Sequence, residues 1–274
     1  MKRSLFTLTC IFFLIGVSMS FAVPFEVLVI NGDSEGETNE APVVMSKTDI
    51  EGNTFAFTQL NIGPGSNRPP SGAVNLQDVI GSTINLSDYQ IIWFTWNGPG
   101  HDGSYFMEGV EDGFLSWVKN GGFIYMSAFD DNFTDANGNQ VGSWMPIDEF
   151  PLAVDNTADS DVEITAEGES SPIFSTPNAI TVDILNSMVL DDNFHPDNPD
   201  DWTIFATRAD NGQPAVCYLP YGKGGYVEAC IDARSTFPAS EPLVENVLNF
   251  MASGVTAVAP EGKLSTTWGS LKNE

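Results

Sequence analysis

The chain has 274 residues and carries 37 acidic against 10 basic side chains, a net charge of −27. Binding a nucleic-acid backbone takes clustered Lys and Arg that release counterions. The basic residues here are scattered, which excludes that partner and disfavours an anionic membrane surface. Hydrophobic residues make up 42% of the chain, enough for one substantial core.

The first 22 residues read MKRSLFTLTCIFFLIGVSMSFA. Lys2 and Arg3 precede an apolar run from Leu5 to Val17, and Ser20 and Ala22 supply the small residues of a cleavage site. No charged stop-transfer flank follows, so residues 1–22 are expected to be a signal peptide and the chain secreted or periplasmic. No later stretch is apolar enough to span a bilayer. FEVLVING (25–32) is a short β-branched run that suits a strand buried on both faces. TFAFTQLN (54–61) is a second strand, GPGSNRPPSG (63–72) a loop, AVNLQDVIG a short helix, and INLSDYQIIWFTW (84–96) a turn and a buried strand. In 102–122, Met107, Val110, Phe114, Trp117 and Val118 fall on one face of a helix, closed by Gly121 or Gly122. FIYMSAF (123–129) follows as a strand, which makes a βαβ unit and a parallel pair.

From Asp130 to Asp201 the chain is rich in Asp, Asn, Ser and Pro, with strand-like pieces at VEITAE and ITVDIL. TIFATR (203–208) is a strand. PAVCYLPYGKGGYVEACID (214–232) is two strands around a Tyr-Gly-Lys-Gly turn, with Gly222 and Gly224 free to take positive φ. Cys217 and Cys230 lie on its two arms. A disulfide between them depends on register: a four-residue loop pairs them directly, a two-residue loop only diagonally. PLVENVLNFMASG (242–254) is an amphipathic helix after Ser240, ending at Gly254. Residues 23–255 form one domain, and 256–274 a tail outside the core, either a disordered end or an interaction tag. The fold class is α/β: a mainly parallel sheet flanked by helices, with a C-terminal antiparallel hairpin. Ligands of such sheets bind at the carboxyl ends of the strands, here Asn31 to Glu35, Trp96 to His101 and Ser127 to Asp131.

DYQIIWFTW, the helix ending WVKNGGFIYMSA, and WTIFATR with GQPAVCYLPYGKGGYVEAC resemble, in that order, the ThuA-like domain. That group belongs to the class I glutamine amidotransferase-like, flavodoxin-like fold, and the resemblance covers roughly residues 25 to 255. The departures from it bear on chemistry. Amidotransferases of this fold carry a cysteine at the turn after the central strand, and here Ser127 or Ala128 stands there, so a thiol nucleophile is excluded. ThuA-like members tend to carry histidine at that turn, after the first strand and after the hairpin. This chain has Ser127, Asp33-Ser34 and Ile231-Asp232, and its histidines are His101 and His195.

Ser127 with His101 as base is a nucleophile candidate, but Tyr-Met-Ser-Ala-Phe lacks the G-x-S-x-G elbow, and a small polar turn residue is the alternative. His101, in WNGPGHDGSY, reads as a base, a metal ligand or a surface residue. Asp33 and Asp232 complete the catalytic set. Trp96, Tyr105 and Asp131 are the ligand-binding candidates, the two aromatics as platforms for a sugar. The resemblance adds the family's association with sugar utilisation only as analogy. Asp130 and Asp135 in one acidic loop, and Asp192 and His195 in DDNFHPDNPDDW, are candidate ligands for calcium or another divalent metal; Asx-rich turns are the alternative. The resemblance sets Asp192-Asn193 where an Asp-Glu pair commonly stands, and an amide cannot transfer a proton. The expected function is a non-catalytic or accessory ligand-binding module, with carbohydrate or another small molecule as partner. The alternative is a hydrolase or carbohydrate-modifying enzyme assisted by a divalent metal.

Overall fold

The computed structural model describes residues 23–32, 40–62, 71–95, 109–126, 146, 152–155, 161–187, 192–196, 198–229 and 240–258, with backbone alone at 152–155, 192–195 and 256–258. The chain begins with β1 (Phe25–Asn31), α1 (Glu40–Met45), a hairpin of β2 (Asp49–Ile50) and β3 (Asn53–Asn61), and α2 (Leu76–Val79). It continues through β4 (Ile91–Phe94), α3 (Glu111–Lys119), β5 (Phe123–Met126), β6 (Leu152–Asp155), β7 (Val162–Ile164), α4 (Ala166–Ser170), α5 (Val182–Leu185) and β8 (Asp192–His195). It closes with β9 (Thr203–Arg208), β10 (Pro214–Tyr221), β11 (Gly224–Ala229) and α6 (Ser240–Val258).

Nine strands form one sheet in the order β2-β3-β1-β4-β5-β11-β10-β9-β7, and β6 pairs with β8 apart from it. The centre, β3-β1-β4-β5-β11, is parallel. The flanking pairs β2-β3, β11-β10, β10-β9 and β9-β7 are antiparallel. With six helices among the described residues, this is a mixed α/β fold. The continuous apolar runs of the central strands are explained by burial on both faces: Val27 to Ile30, Ile91 to Phe94 and Phe123 to Met126 are all buried. Each such large side chain contributes about 1.5–3 kcal/mol relative to exposure.

Side-chain alternation assigns the helices to layers. Trp93 donates its indole N–H to Glu40 at the start of α1, while Phe94 meets Phe114 of α3 at a centroid distance of 6.0 Å. The two helices therefore cover opposite faces. Trp93 stacks on Tyr125 at 3.8 Å, and Phe123, two residues earlier on that face, packs against α6 at Gly254. So α1 and α6 share a face, and Lys47 beyond α1 joins them with Nζ 2.8 Å from Glu241 and 3.0 Å from Glu245. Burial lowers the affinity of Lys47 for its proton, but the two carboxylates outweigh that and hold its pKa above the usual lysine value.

Helix α3 ends in a Schellman motif. The N–H of Gly121 donates to Val118 and that of Gly122 to Trp117, with Gly121 at φ 121°. The hairpin docks onto this end: Lys223 N–H donates to Lys119 at 3.0 Å and Gly225 N–H to Gly122 at 3.3 Å. Its loop has two residues, Gly222 and Lys223, and Gly222 has φ 61°. Gly224 belongs to β11 and is glycine for closeness, since a Cβ there would strike the carbonyl oxygen of Gly122.

Three sequence expectations are corrected. ITVDIL is not a strand: Thr181 Oγ1 accepts from Ile184 N–H at 3.2 Å and starts the single turn of α5. Asp192 to His195, expected in a loop, form β8, with Asp192 opposite Asp155 and His195 opposite Leu152. Gly254 does not end α6, which runs on to Val258, so the helix overlaps the start of the expected tail.

Candidate functional site

The sheet order contains one reversal that bears on ligand binding. From β1 the chain moves to β3 on one side, then returns past β1 to β4 on the other. Such a reversal marks the carboxyl ends of β1 and β4, the usual ligand position in open α/β sheets. Among the described residues, uncharged polar groups stand at this edge. β1 ends in Asn31, beside Asn61 at the end of β3, and Asn31 Nδ2 donates to Asn61 Oδ1 at 3.0 Å. Thr95, directly after β4, donates its hydroxyl to Asn31 Oδ1 at 3.3 Å and accepts from Gly32 N–H at 3.2 Å. Gln59 Nε2 donates to Asn61 Oδ1 at 2.7 Å, and Asn61 Nδ2 to the carbonyl of Ser71 at 3.1 Å. Asn31 and Thr95 are buried, while the bonds of Gln59 and Asn61 run along the exposed rim.

Below this edge, on the α1 face, the buried Glu40 carboxylate accepts from Trp93 Nε1 at 2.7 Å, and Tyr125 donates its hydroxyl to the carbonyl of Ala229 at 2.8 Å. Glu40, Trp93, Tyr125 and Ala229 thus tie α1 to β11 across the sheet, making the floor of the edge rigid. On the α3 face lies Glu228, fully buried in β11. Burial pushes its carboxyl well above the ordinary range. Burial, then Tyr221 and Glu228, push the Tyr226 phenol up as well. A cavity of about 270 Å³ opens at the opposite, amino edge of the sheet, between Tyr89, Gln90, Trp117 and Asn120. It lies at the other end of the strands from that carboxyl edge, and Trp117, which lines it, bonds through Nε1 to the carbonyl of Tyr89.

Asp33, Trp96, His101, Tyr105, Ser127, Asp130, Asp131, Asp135, Cys230 and Asp232 lie outside the described residues. In chain order Asp33 follows β1, Trp96 follows β4, Ser127 follows β5 and Asp232 follows β11. Asp192 and His195 lie in β8, outside the nine-stranded sheet. Among the described residues no group of three or more His, Cys, Asp or Glu is placed to hold a metal ion, and the expectation of calcium or another divalent cofactor is withdrawn. Cys217 stands as a buried thiol opposite Glu228, and the two-residue loop pairs Ala229 with Val216, so the direct pairing of Cys217 with Cys230 that a four-residue loop would give does not arise. Among the described residues no helix is long and apolar enough to cross a membrane.

Sequence reasoning included Asn31 in a strand end expected to meet ligand and missed Asn61, Thr95, Glu40 and Glu228. Asn61 and Thr95 had a visible signal: each is a polar residue that closes a strand run.

No family model matches the chain, and no curated protein matches it. Among solved structures it is similar to a ThuA-like protein of Parabacteroides merdae, with 14% identity, 86% of this chain and 91% of that one covered, and a TM-score of 0.48. It is also similar to two cytoplasmic proteins of Salmonella typhimurium. One has 14% identity over 82% of this chain and 98% of that one with a TM-score of 0.47, the other 12% over 83% and 99% with a TM-score of 0.49. Both are named as cytoplasmic proteins, at variance with the secreted or periplasmic location expected from the N-terminus, and that expectation is not carried further.

Proposed function

We propose that the chain is a ThuA-like, flavodoxin-like module that binds an uncharged, hydroxyl-bearing small molecule, a saccharide being the class tested first, at the carboxyl edge of β1 and β4. The observation that carries this is the hydrogen-bonded set of Asn31, Thr95 and Asn61 at the point where the connections diverge. Amides and hydroxyls recognise hydroxyl-bearing ligands without the desolvation cost of a charge. In chain order Asp33, Trp96, His101, Tyr105, Ser127, Asp131 and Asp232 come after strands that end at this edge, and they are the proposed contact residues.

The test is calorimetric titration with a panel of neutral mono- and disaccharides, paired with melting curves, since a ligand that binds only the folded state raises Tm. Binding is expected to weaken in Asp33→Ala and His101→Ala and to persist in Asn120→Ala, which lies at the opposite edge. Titrations flat across the panel, or binding lost only in Asn120→Ala, would sink the reading.

A further inference from the structure

Glu228 is the penultimate residue of β11, the strand inserted between β5 and β10. Register places it beside Met126 of β5 and opposite Cys217 of β10. It is 0% exposed. The Cys217 thiol approaches Oε2 at 4.0 Å, a long and weak bond, and among the described residues Oε1 has no hydrogen-bond partner at all. The layer around it is apolar. β5 contributes Ile124 and Met126, β10 contributes Leu219, and α3 brings Phe114 and Val118. Among the described residues the titratable groups facing it are the Cys217 thiol from β10 and the Tyr226 phenol from its own strand, with Tyr221 beyond Tyr226 at 6.4 Å; β5 brings none. Of the charged residues of α3, Asp112 and Lys119 are exposed and Glu111 is half-buried. Among the described residues no cation pairs with the carboxyl.

A carboxyl held this way is tolerated neutral and expelled when charged, because among the described residues neither a counterion nor a full set of donors compensates the anion. An apolar residue would fill the place at less cost, so the acid is a feature that needs a role. We propose that Glu228 is a pH-operated latch on β11. With its proton on, the side chain lies within the apolar layer and the β5-β11-β10 junction is closed. When solvent base takes the proton, the carboxylate leaves that layer and the junction opens locally; closing takes one proton back. The latch stands whether or not the carboxyl edge binds a saccharide.

Amide hydrogen exchange on the full chain tests it, followed by mass spectrometry from mildly acidic to alkaline pH and corrected for base-catalysed chemical exchange. In the wild type the opening equilibrium of β5, β10 and β11 is expected to rise by up to about tenfold per pH unit relative to β1, the limit for one ionising proton. Glu228→Gln keeps the shape of the neutral acid and cannot ionise, so its profile is expected to be flat. Should that variant fail to fold, Glu228→Met is read the same way. Protection in the wild type that does not change with pH, or an equal loss in the variant, overturns the latch.

Discussion

Gly254 separates two accounts of the C-terminal helix by the sign of one measurement. If the glycine merely ended or interrupted α6, Gly254→Ala would stabilise the protein, since alanine in a helix interior is better than glycine by about 1 kcal/mol. In the structure the helix continues to Val258, and a Cβ at 254 would meet the Phe123 ring, reaching Cε1 at 2.8 Å and Cε2 at 3.1 Å, with Cζ closer still. Comfortable carbon contacts lie at about 3.5–4.0 Å, so ring or helix must shift by roughly an ångström. The ring has nowhere to go. Phe123 is 3% exposed, lies parallel to Tyr218 at 6.4 Å, and Tyr218 is held edge-on by Phe250 of α6 itself at 5.3 Å. Overpacking of this kind costs about 1–3 kcal/mol, and the locked surroundings put it near the top of that range. Less the propensity gain, Gly254→Ala should lose about 2 kcal/mol, or about 4–8 °C in Tm for a chain of this size. Urea unfolding followed by tryptophan fluorescence measures it. Phe123→Leu should make room, so the double variant should lose clearly less than the two single losses added. A Gly254→Ala midpoint at or above wild type, or strict additivity in the double variant, would refute the close packing of α6 on β5.

Gly224→Ala should be more severe, at about 3 kcal/mol or above, because its Cβ meets a backbone carbonyl rather than a side chain; a folded variant within 1 kcal/mol of wild type contradicts the docking of hairpin on α3. Trp93→Phe removes the donor to buried Glu40 and should cost about 1–3 kcal/mol in the same urea assay, with a loss below about 0.5 kcal/mol counting against it. Lys47→Met should cost about 1 kcal/mol or less and shrink the salt dependence of stability, because Glu241 and Glu245 are partly solvated; an undiminished salt dependence speaks against the ion pairs. For Glu228 the folded pKa is raised, so the native state binds more protons than the unfolded one above the ordinary carboxyl range. Its favourable contribution is complete below a pH of about 4.3 and is lost as pH rises toward the folded pKa. The stability difference between wild type and Glu228→Gln should therefore move against the wild type by up to about 1.4 kcal/mol per pH unit, and a constant difference across that window would exclude the shift.

The central strands were legible because burial on both faces writes continuous apolar runs, as in FEVLVIN, IIWF and FIYM. α3 was legible because Phe114 and Val118 recur on one face before two glycines. What misled was local chemistry with more than one outcome. Thr181 followed by Val-Asp-Ile-Leu alternates like a strand, yet the threonine hydroxyl caps a helical turn. Asp-Asn-Phe-His has the composition of a loop, and only a distant partner at 152–155 makes it a strand. Gly254 looked like a stop because nothing local reveals a ring from β5 lying against it. The candidate edge was legible from strand order, but its buried groups were not. Asn31 and Thr95 resemble ordinary strand ends until β1 and β4 become neighbours, and Glu228 is a single acid whose burial depends on strands from both halves of the chain.

The seating of Lys223 and Gly225 on the last turn of α3 also orders the assembly of the chain in time. Those partners lie about a hundred residues apart, so a long loop must close before either contact rewards it. Until residues 224–229 arrive, β5 has a neighbour on one side only, and its other edge offers unpaired backbone groups. A nascent chain, or one cut short before the hairpin, carries that open edge and is prone to pair with another copy of itself. Completion of β11 is thus the step that turns a growing half-sheet into a closed one, and slow folding through this non-local join follows from the topology.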